Sequence, residues 1–115
     1  MAYRKYGNRK TVADGIKFDS RAEAERYKEL KLMEKGGKIK DLVLQPEFLL
    51  QDKFKYRGKT ERAVRYIADF KYFDAEKGVY VVEDVKGMET EVFKIKRKLF
   101  LKQYGGEYDF EIVKR

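Results

Sequence analysis

Asp69, Asp84 and Lys86 carry the side-chain types and spacing most able to do chemistry in this chain. Val64–Phe73 and Val79–Lys86 are rich in strand formers, and Asp74–Gly78 between them reads as a turn, so a hairpin is expected. A turn centred between Glu76 and Lys77 sets Asp69 opposite Asp84 and Ile67 opposite Lys86. Residues two apart on a strand share a face, so Asp84 and Lys86 point the same way and Asp69 joins them. Two carboxylates paired across a ladder, with Cβ atoms about 5 Å apart, oppose folding. A divalent cation taking oxygens from both would offset that cost. Tyr80–Val85 reads as a central strand interrupted at its end by Glu83 and Asp84; the alternative is that these acids are the solvated end of an edge strand. Glu23 is a third acid, in the helical stripe with Tyr27 and Leu30 that is expected to face the sheet. It also completes the S-x-x-E capping spacing with Ser20, and the two roles compete for one side chain.

The composition limits which chemistry is open. The chain has 115 residues with 28 Lys+Arg against 20 Asp+Glu, a formal charge of +8, and neither Cys nor His. That length holds one domain with one modest core. Disulfides, thiolate zinc sites, thiol nucleophiles and imidazole bases are excluded, leaving carboxylates, Lys, Tyr or a bound metal. Aromatics at 15% argue for a folded protein with a positive surface rather than a disordered basic tail. No run approaches the ~18 apolar residues of a membrane span. The charge favours polyanionic partners. Arg4, Lys5, Arg9 and Lys10 form a basic arm over residues 1–12 that could lie along phosphates; the alternative is a frayed terminus. Lys94 and Lys98 offer further phosphate contacts among the charges of the second helix.

The elements that must position these residues follow in order. A helix runs from Ser20 to about Lys35 and is stopped by Gly36-Gly37. Short strands are expected over Ile39–Leu44 and Glu47–Gln51, broken at Gln45-Pro46, where Gln45 reads as a turn residue. Phe54 to Thr60 looks like a turn-rich excursion around Gly58. After the hairpin comes a helix from about Thr90 to Tyr104, with Val92, Ile95, Leu99 and Phe100 as its core stripe. Glu107–Val113 closes as a strand. The order helix, about three strands, helix, strand implies an α/β or α+β domain around one central mixed sheet.

The D-x(14)-D-x-K spacing of Asp69, Asp84 and Lys86 resembles the PD-(D/E)XK nuclease superfamily. The stretches Lys17–Ala24, Leu44–Phe48, Tyr66–Phe70 and Val82–Gly87 are similar to a phage and prophage family within it, described as Holliday-junction-resolvase-like. The resemblance covers about Tyr6 to Phe110 and implies a restriction-endonuclease-like core, helix-strand-strand-strand-helix-strand. It further implies a DNA endonuclease with Asp69 and Asp84 as Mg2+ ligands, Mn2+ substituting. Glu23 would be a ligand directly or through water, the carbonyl of Val85 an additional one, and Lys86 a general base or transition-state stabiliser. Ala68 stands where the motif has Pro, and Glu83 leaves open which acid faces the metal. The expected partner is branched DNA, bound by a homodimer in the cytoplasm of a bacterial host. A monomeric nickase and a non-catalytic basic DNA-binding protein are the competing readings.

Overall fold

The computed structural model describes residues 10–115. The described residues open with a hairpin, β1 (Thr11–Ala13) and β2 (Ile16–Phe18), that spacing alone does not signal. Asp14 and Gly15 both take positive φ between them, the backbone that a two-residue hairpin turn demands. Thr11 and Val12 therefore belong to a strand and not to the expected basic arm of residues 1–12. Helix α1 (Arg21–Lys35) starts at Ser20, whose hydroxyl accepts from the Glu23 N–H. It buries Glu23, Ala24, Tyr27 and Leu30, the stripe expected. Gly37, at φ 78°, turns the chain into β3 (Ile39–Leu44).

The expected single strand Val64–Phe73 is two strands. β4 (Glu47–Gln51) pairs antiparallel with β7 (Val64–Ile67) as a separate ribbon. β8 (Phe70–Asp74) pairs instead with β3 and with β9 (Val79–Lys86). Ala68 and Asp69 lie at the break, where the chain changes partners. Between β4 and β7 the presumed excursion is a regular hairpin, β5 (Phe54–Tyr56) and β6 (Lys59–Glu61).

Helix α2 (Glu91–Tyr104) follows β9, capped by the Thr90 hydroxyl, and leads to β10 (Tyr108–Lys114), which pairs parallel with β9. The main sheet has the order β10-β9-β8-β3 and is mixed, with β9 buried on both faces. The domain is thus α+β, with smaller ribbons added to the central sheet rather than one continuous sheet.

Each helix covers one face. Tyr27 and Leu30 of α1 pack with Phe70, Tyr72, Val81 and Val85. On the other face Phe93 and Phe100 of α2 pack with Phe48, Tyr66, Ala68 and Val82. This corrects the expected α2 stripe: Val92, Ile95 and Leu99 are 63%, 61% and 41% exposed, and only Phe100 is core. The aromatic rings decide the rotation. Phe100 lies 4.8 Å from Phe48, 5.4 Å from Tyr66 and 5.7 Å from Phe110, a cluster that offers more buried area than the aliphatic stripe one residue round the helix. No helix among the described residues is long and apolar enough to cross a membrane.

Candidate active site

The break between β7 and β8 is pinned from both sides. The Ala68 N–H donates to the Pro46 carbonyl at 3.1 Å, and the Gln45 N–H donates to the Asp69 carbonyl at 2.9 Å. Across the sheet the Asp69 N–H donates to the Glu83 carbonyl at 3.1 Å. Gln45 holds φ 50°, a left-handed conformation uncommon for a residue with a Cβ, at the point where β3 gives way to β4. Ala68 is wholly buried there, and its N–H makes a bond that a proline could not.

The expected register holds from Phe70, which pairs with Glu83, to Asp74, which pairs with Val79, but the ladder stops there: Asp69 lies outside it and is not paired with Asp84, its N–H going to the Glu83 carbonyl. β8 begins only at Phe70, and the Asp69 side chain before it reaches β9, where its Oδ2 accepts from the Val85 N–H at 2.7 Å. The N–H and C=O of a strand residue point to the same side, so the Val85 carbonyl projects on the Asp69 side as well. Ile67 does not face Lys86 as expected; it belongs to the β4–β7 ribbon and pairs with Glu47.

Asp84 is buried, and its two oxygens are engaged differently. Oδ1 lies 3.1 Å from the Lys86 Nζ, while Oδ2 accepts from the Tyr66 hydroxyl. Lys86 Nζ also sits 4.7 Å above the Phe93 ring centroid, a cation–π contact that fixes the ammonium at the cleft wall. From the opposite face α1 brings the Glu23 carboxyl close enough to Asp69 for the two to perturb each other's titration. Glu23, Asp69, Val85 and Lys86 line one cleft of about 980 Å3, together with Gln45, Asp19, Arg21 and Arg115.

The electrostatics follow from this crowding. Burial, then the neighbouring Glu23, pushes Asp69 up to about 7. Burial, then the charge of Asp69, pushes Asp84 up to about 7, against the pull of Tyr66 and Lys86. Burial likewise raises Glu23 above the usual carboxylate range. Three acids here are short of positive charge.

Glu83 is excluded from the cleft. Alternation along β9 sends it to the α1 face, where Arg26 holds it through Nε at 2.8 Å and Nη2 at 2.6 Å, and where the Tyr72 hydroxyl donates to it. Arg26 in turn reaches Glu29, which Arg115 clamps with two bonds of 2.8 and 2.6 Å. Glu83 is the neutralised end of a chain of ion pairs on the α1 face, and the acid that pairs with Lys86 is Asp84.

Among the described residues no group of three or more acidic side chains is placed to hold a metal ion. A small hard cation that keeps several waters needs only one or two protein carboxylates, and the residues that could supply them are Asp69, at the cleft, and Asp84, buried beside Lys86 and outside the cleft lining. The basic residues are dispersed. Lys10 is at the cleft rim through its 3.6 Å pair with Asp19. Lys94 pairs with Glu91 at 3.5 Å, and neither Lys94 nor Lys98 lines the cleft. Arg4, Lys5 and Arg9 lie outside the described residues. Sequence reasoning missed Tyr66 as a site residue, because a tyrosine among strand formers reads as core; it missed Arg21 and Arg115 because neither is near the motif in sequence.

No curated protein and no solved structure matches the chain. A family profile does, over residues 3–114, and the chain therefore belongs to the family described as "Protein of unknown function (DUF1064)".

Proposed function

We propose that the protein is a metal-dependent DNA endonuclease that hydrolyses phosphodiester bonds, with branched DNA as its substrate. The observation that carries this reading is the meeting of Glu23, Asp69 and Lys86 at one cleft, with Asp84 directly behind Lys86. A structural role does not account for it, since three crowded acids with a single adjacent Lys weaken the fold unless a cation joins them. The restriction-endonuclease-like arrangement suggested by the D-x(14)-D-x-K spacing is consistent with a mixed sheet covered by one helix on each face.

Bound Mg2+, or Mn2+ in its place, would supply an activated water and neutralise charge growing on the phosphate. Asp69 and Asp84 would hold it, with the Val85 carbonyl. The chain's own contribution is positioning and proton handling. The Val85 N–H fixes one oxygen of Asp69 at the cleft, and Tyr66 fixes one oxygen of Asp84 in the wall behind Lys86, so neither carboxylate rotates freely. Lys86, steadied by Phe93, faces the reacting phosphate as a donor to its charge or as the base for the attacking water. Glu23 crowds Asp69 and helps to raise its pKa, and it would join the metal directly or through water.

The +8 charge supports a polyanionic substrate. A homodimer belongs to this reading, because each chain offers one such cleft and resolving a junction takes two cuts; so does a cytoplasmic location, where the DNA is. The test is cleavage of a labelled four-way junction beside linear duplex and supercoiled plasmid, with Mg2+ and with EDTA, paired with sedimentation velocity. Paired symmetric cuts on the junction by a dimer are expected. Nicking of every substrate by a monomer would keep the site and discard the junction. Tight binding without cutting in Mg2+ or Mn2+ would leave a non-catalytic DNA-binding protein.

A further inference from the structure

The β5–β6 hairpin has no part in the cleft, and the core does not need it. Every residue from Gln51 to Arg62 is exposed, including the rings of Phe54 (47%) and Tyr56 (59%). The radius of gyration is 16.0 Å, against about 13 Å for a compact chain of this length, so the molecule is more extended than a sphere. The arm is nonetheless regular: Phe54 pairs with Glu61, Lys55 with Thr60 and Tyr56 with Lys59. Arg57 and Gly58 both take positive φ at its tip, the backbone of a tight hairpin turn.

Two features of the arm point to one kind of ligand. Phe54 and Tyr56 are two residues apart, so both rings stand on the same face. Lys53, Lys55, Arg57, Lys59 and Arg62 surround them against two acids, Asp52 and Glu61, and none of the five is in an ion pair with a described residue. The Arg57 guanidinium already lies 5.2 Å from the Tyr56 ring centroid, the cation-and-ring geometry that a nucleobase accepts. Exposed rings flanked by unpaired cations combine a stacking platform with phosphate attraction. The same charge sets two copies of the arm against each other, which disfavours a second copy of this chain as the occupant.

We infer that the β5–β6 hairpin is a nucleic-acid-binding arm whose Phe54 and Tyr56 stack on unpaired bases. This rests on the nuclease reading for the identity of the polyanion, and it adds to that reading a recognition element for unpaired or distorted DNA. The arm leaves the β4–β7 ribbon at Gln51 and Val64, whereas the opposite end of the ribbon, at Glu47 and Ile67, borders the cleft. It would therefore grip DNA away from the scissile phosphate and govern binding rather than the chemical step.

The test is done in EDTA, so that it does not depend on cleavage. A forked DNA with 2-aminopurine in its unpaired arm is titrated with the full chain beside a blunt duplex of the same paired sequence. The expected result is quenching of the probe and preferential binding of the fork. Phe54→Ala/Tyr56→Ala would abolish the quench and weaken fork binding about tenfold or more, with duplex binding changed less than about twofold. Phe54→Trp/Tyr56→Trp, which keeps stacking rings, would retain the quench. No binding or quench by the unmodified chain overturns the inference, as does a double alanine variant that binds the fork unchanged or loses fork and duplex equally. A variant that alters sedimentation while keeping the quench also overturns it, by making the arm a protein contact. Cleavage in Mg2+ is scored separately: its absence counts against the nuclease reading while the quench still reports on the arm.

Discussion

Tyr66 donates its hydroxyl hydrogen bond to Asp84 from a strand that does not pair with the strand carrying Asp84. β7 pairs only with β4, and Asp84 sits on β9; the two are joined by the aromatic cluster beneath α2, not by a ladder. The position of a candidate metal ligand thus depends on the packing of Tyr66 against Phe93 and Phe100. Within the proposed nuclease, Tyr66→Phe keeps that packing and removes only the donor.

A hydrogen bond to a charged group contributes about 1.5–3 kcal/mol, so cleavage by Tyr66→Phe is expected to fall about 10- to 100-fold. The Tyr66 bond lowers the Asp84 pKa, so its loss raises that pKa further. The acid limb of the pH–rate profile is then expected to move to higher pH, a change that a merely structural loss of protein would not cause. Equal rates and an unmoved profile would show that the hydroxyl does not hold Asp84 for catalysis.

Asp69 and Asp84, as a coupled pair, are both pushed up to about 7 from an ordinary 3.8. The folded protein then binds these protons more tightly than the unfolded chain. Their contribution to stability is full below about pH 4, is lost as pH rises toward about 7, and is flat above that. Glu29, held down to about 2 by Arg115 and Arg26, acts in the opposite direction and only below its ordinary 4.5. Thermal unfolding in EDTA is therefore expected to show a falling Tm between pH 5 and 7. Asp84→Asn should flatten that fall, and Mg2+ should raise the Tm more at pH 8 than at pH 5. A Tm indifferent to Mg2+ at pH 8 would count against metal binding by this pair.

Much of this arrangement is legible from local pattern. The limits of β3, β4 and β9, the caps Ser20 and Thr90, and the register of β8 against β9 all follow from spacing and turn residues close in sequence. The break at Ala68–Asp69 is not legible. Val64–Phe73 is uninterrupted strand-forming sequence, and the interruption comes from a change of partner, β4 on one side and β9 on the other. The face of α2 is undecided for a similar reason: Val92, Ile95 and Leu99 form as good an apolar stripe as Phe93 and Phe100, and only rings from β4, β7 and β10 choose between them. Alternation alone places Glu83 and Asp84 on opposite faces; which face opens to the cleft depends on Arg26, fifty-seven positions away.

Arg26 and Glu83 give a contrast to the site. Removing one partner of a buried ion pair leaves an uncompensated charge, typically costing about 3–5 kcal/mol. Arg26→Ala is thus expected to lower the unfolding midpoint in urea sharply. Glu83 is outside the cleft, so cleavage per folded molecule should be unchanged at low temperature. By contrast, Lys86→Ala should abolish cleavage while leaving DNA binding in EDTA within a few-fold. If Arg26→Ala cost activity and not stability, the division between the two acids of β9 would be wrong.

Ala68 bears on the resemblance directly, since the motif's name places Pro there. In this chain the Ala68 N–H bonds the Pro46 carbonyl at 3.1 Å, and the residue is 0% exposed. Ala68→Pro would remove the donor, leave that carbonyl without it, and add ring atoms where no space is left. A buried backbone acceptor left unpaired costs about 1–3 kcal/mol, so the Tm is expected to drop by several degrees. The loss should reach the site through Gln45, whose N–H holds the Asp69 carbonyl from the adjacent residue of the same turn. Cleavage by Ala68→Pro is therefore expected to decline more steeply with temperature than its unfolding curve predicts. An unchanged Tm and unchanged rate would mean that the turn at Gln45-Pro46 holds Asp69 without help from Ala68.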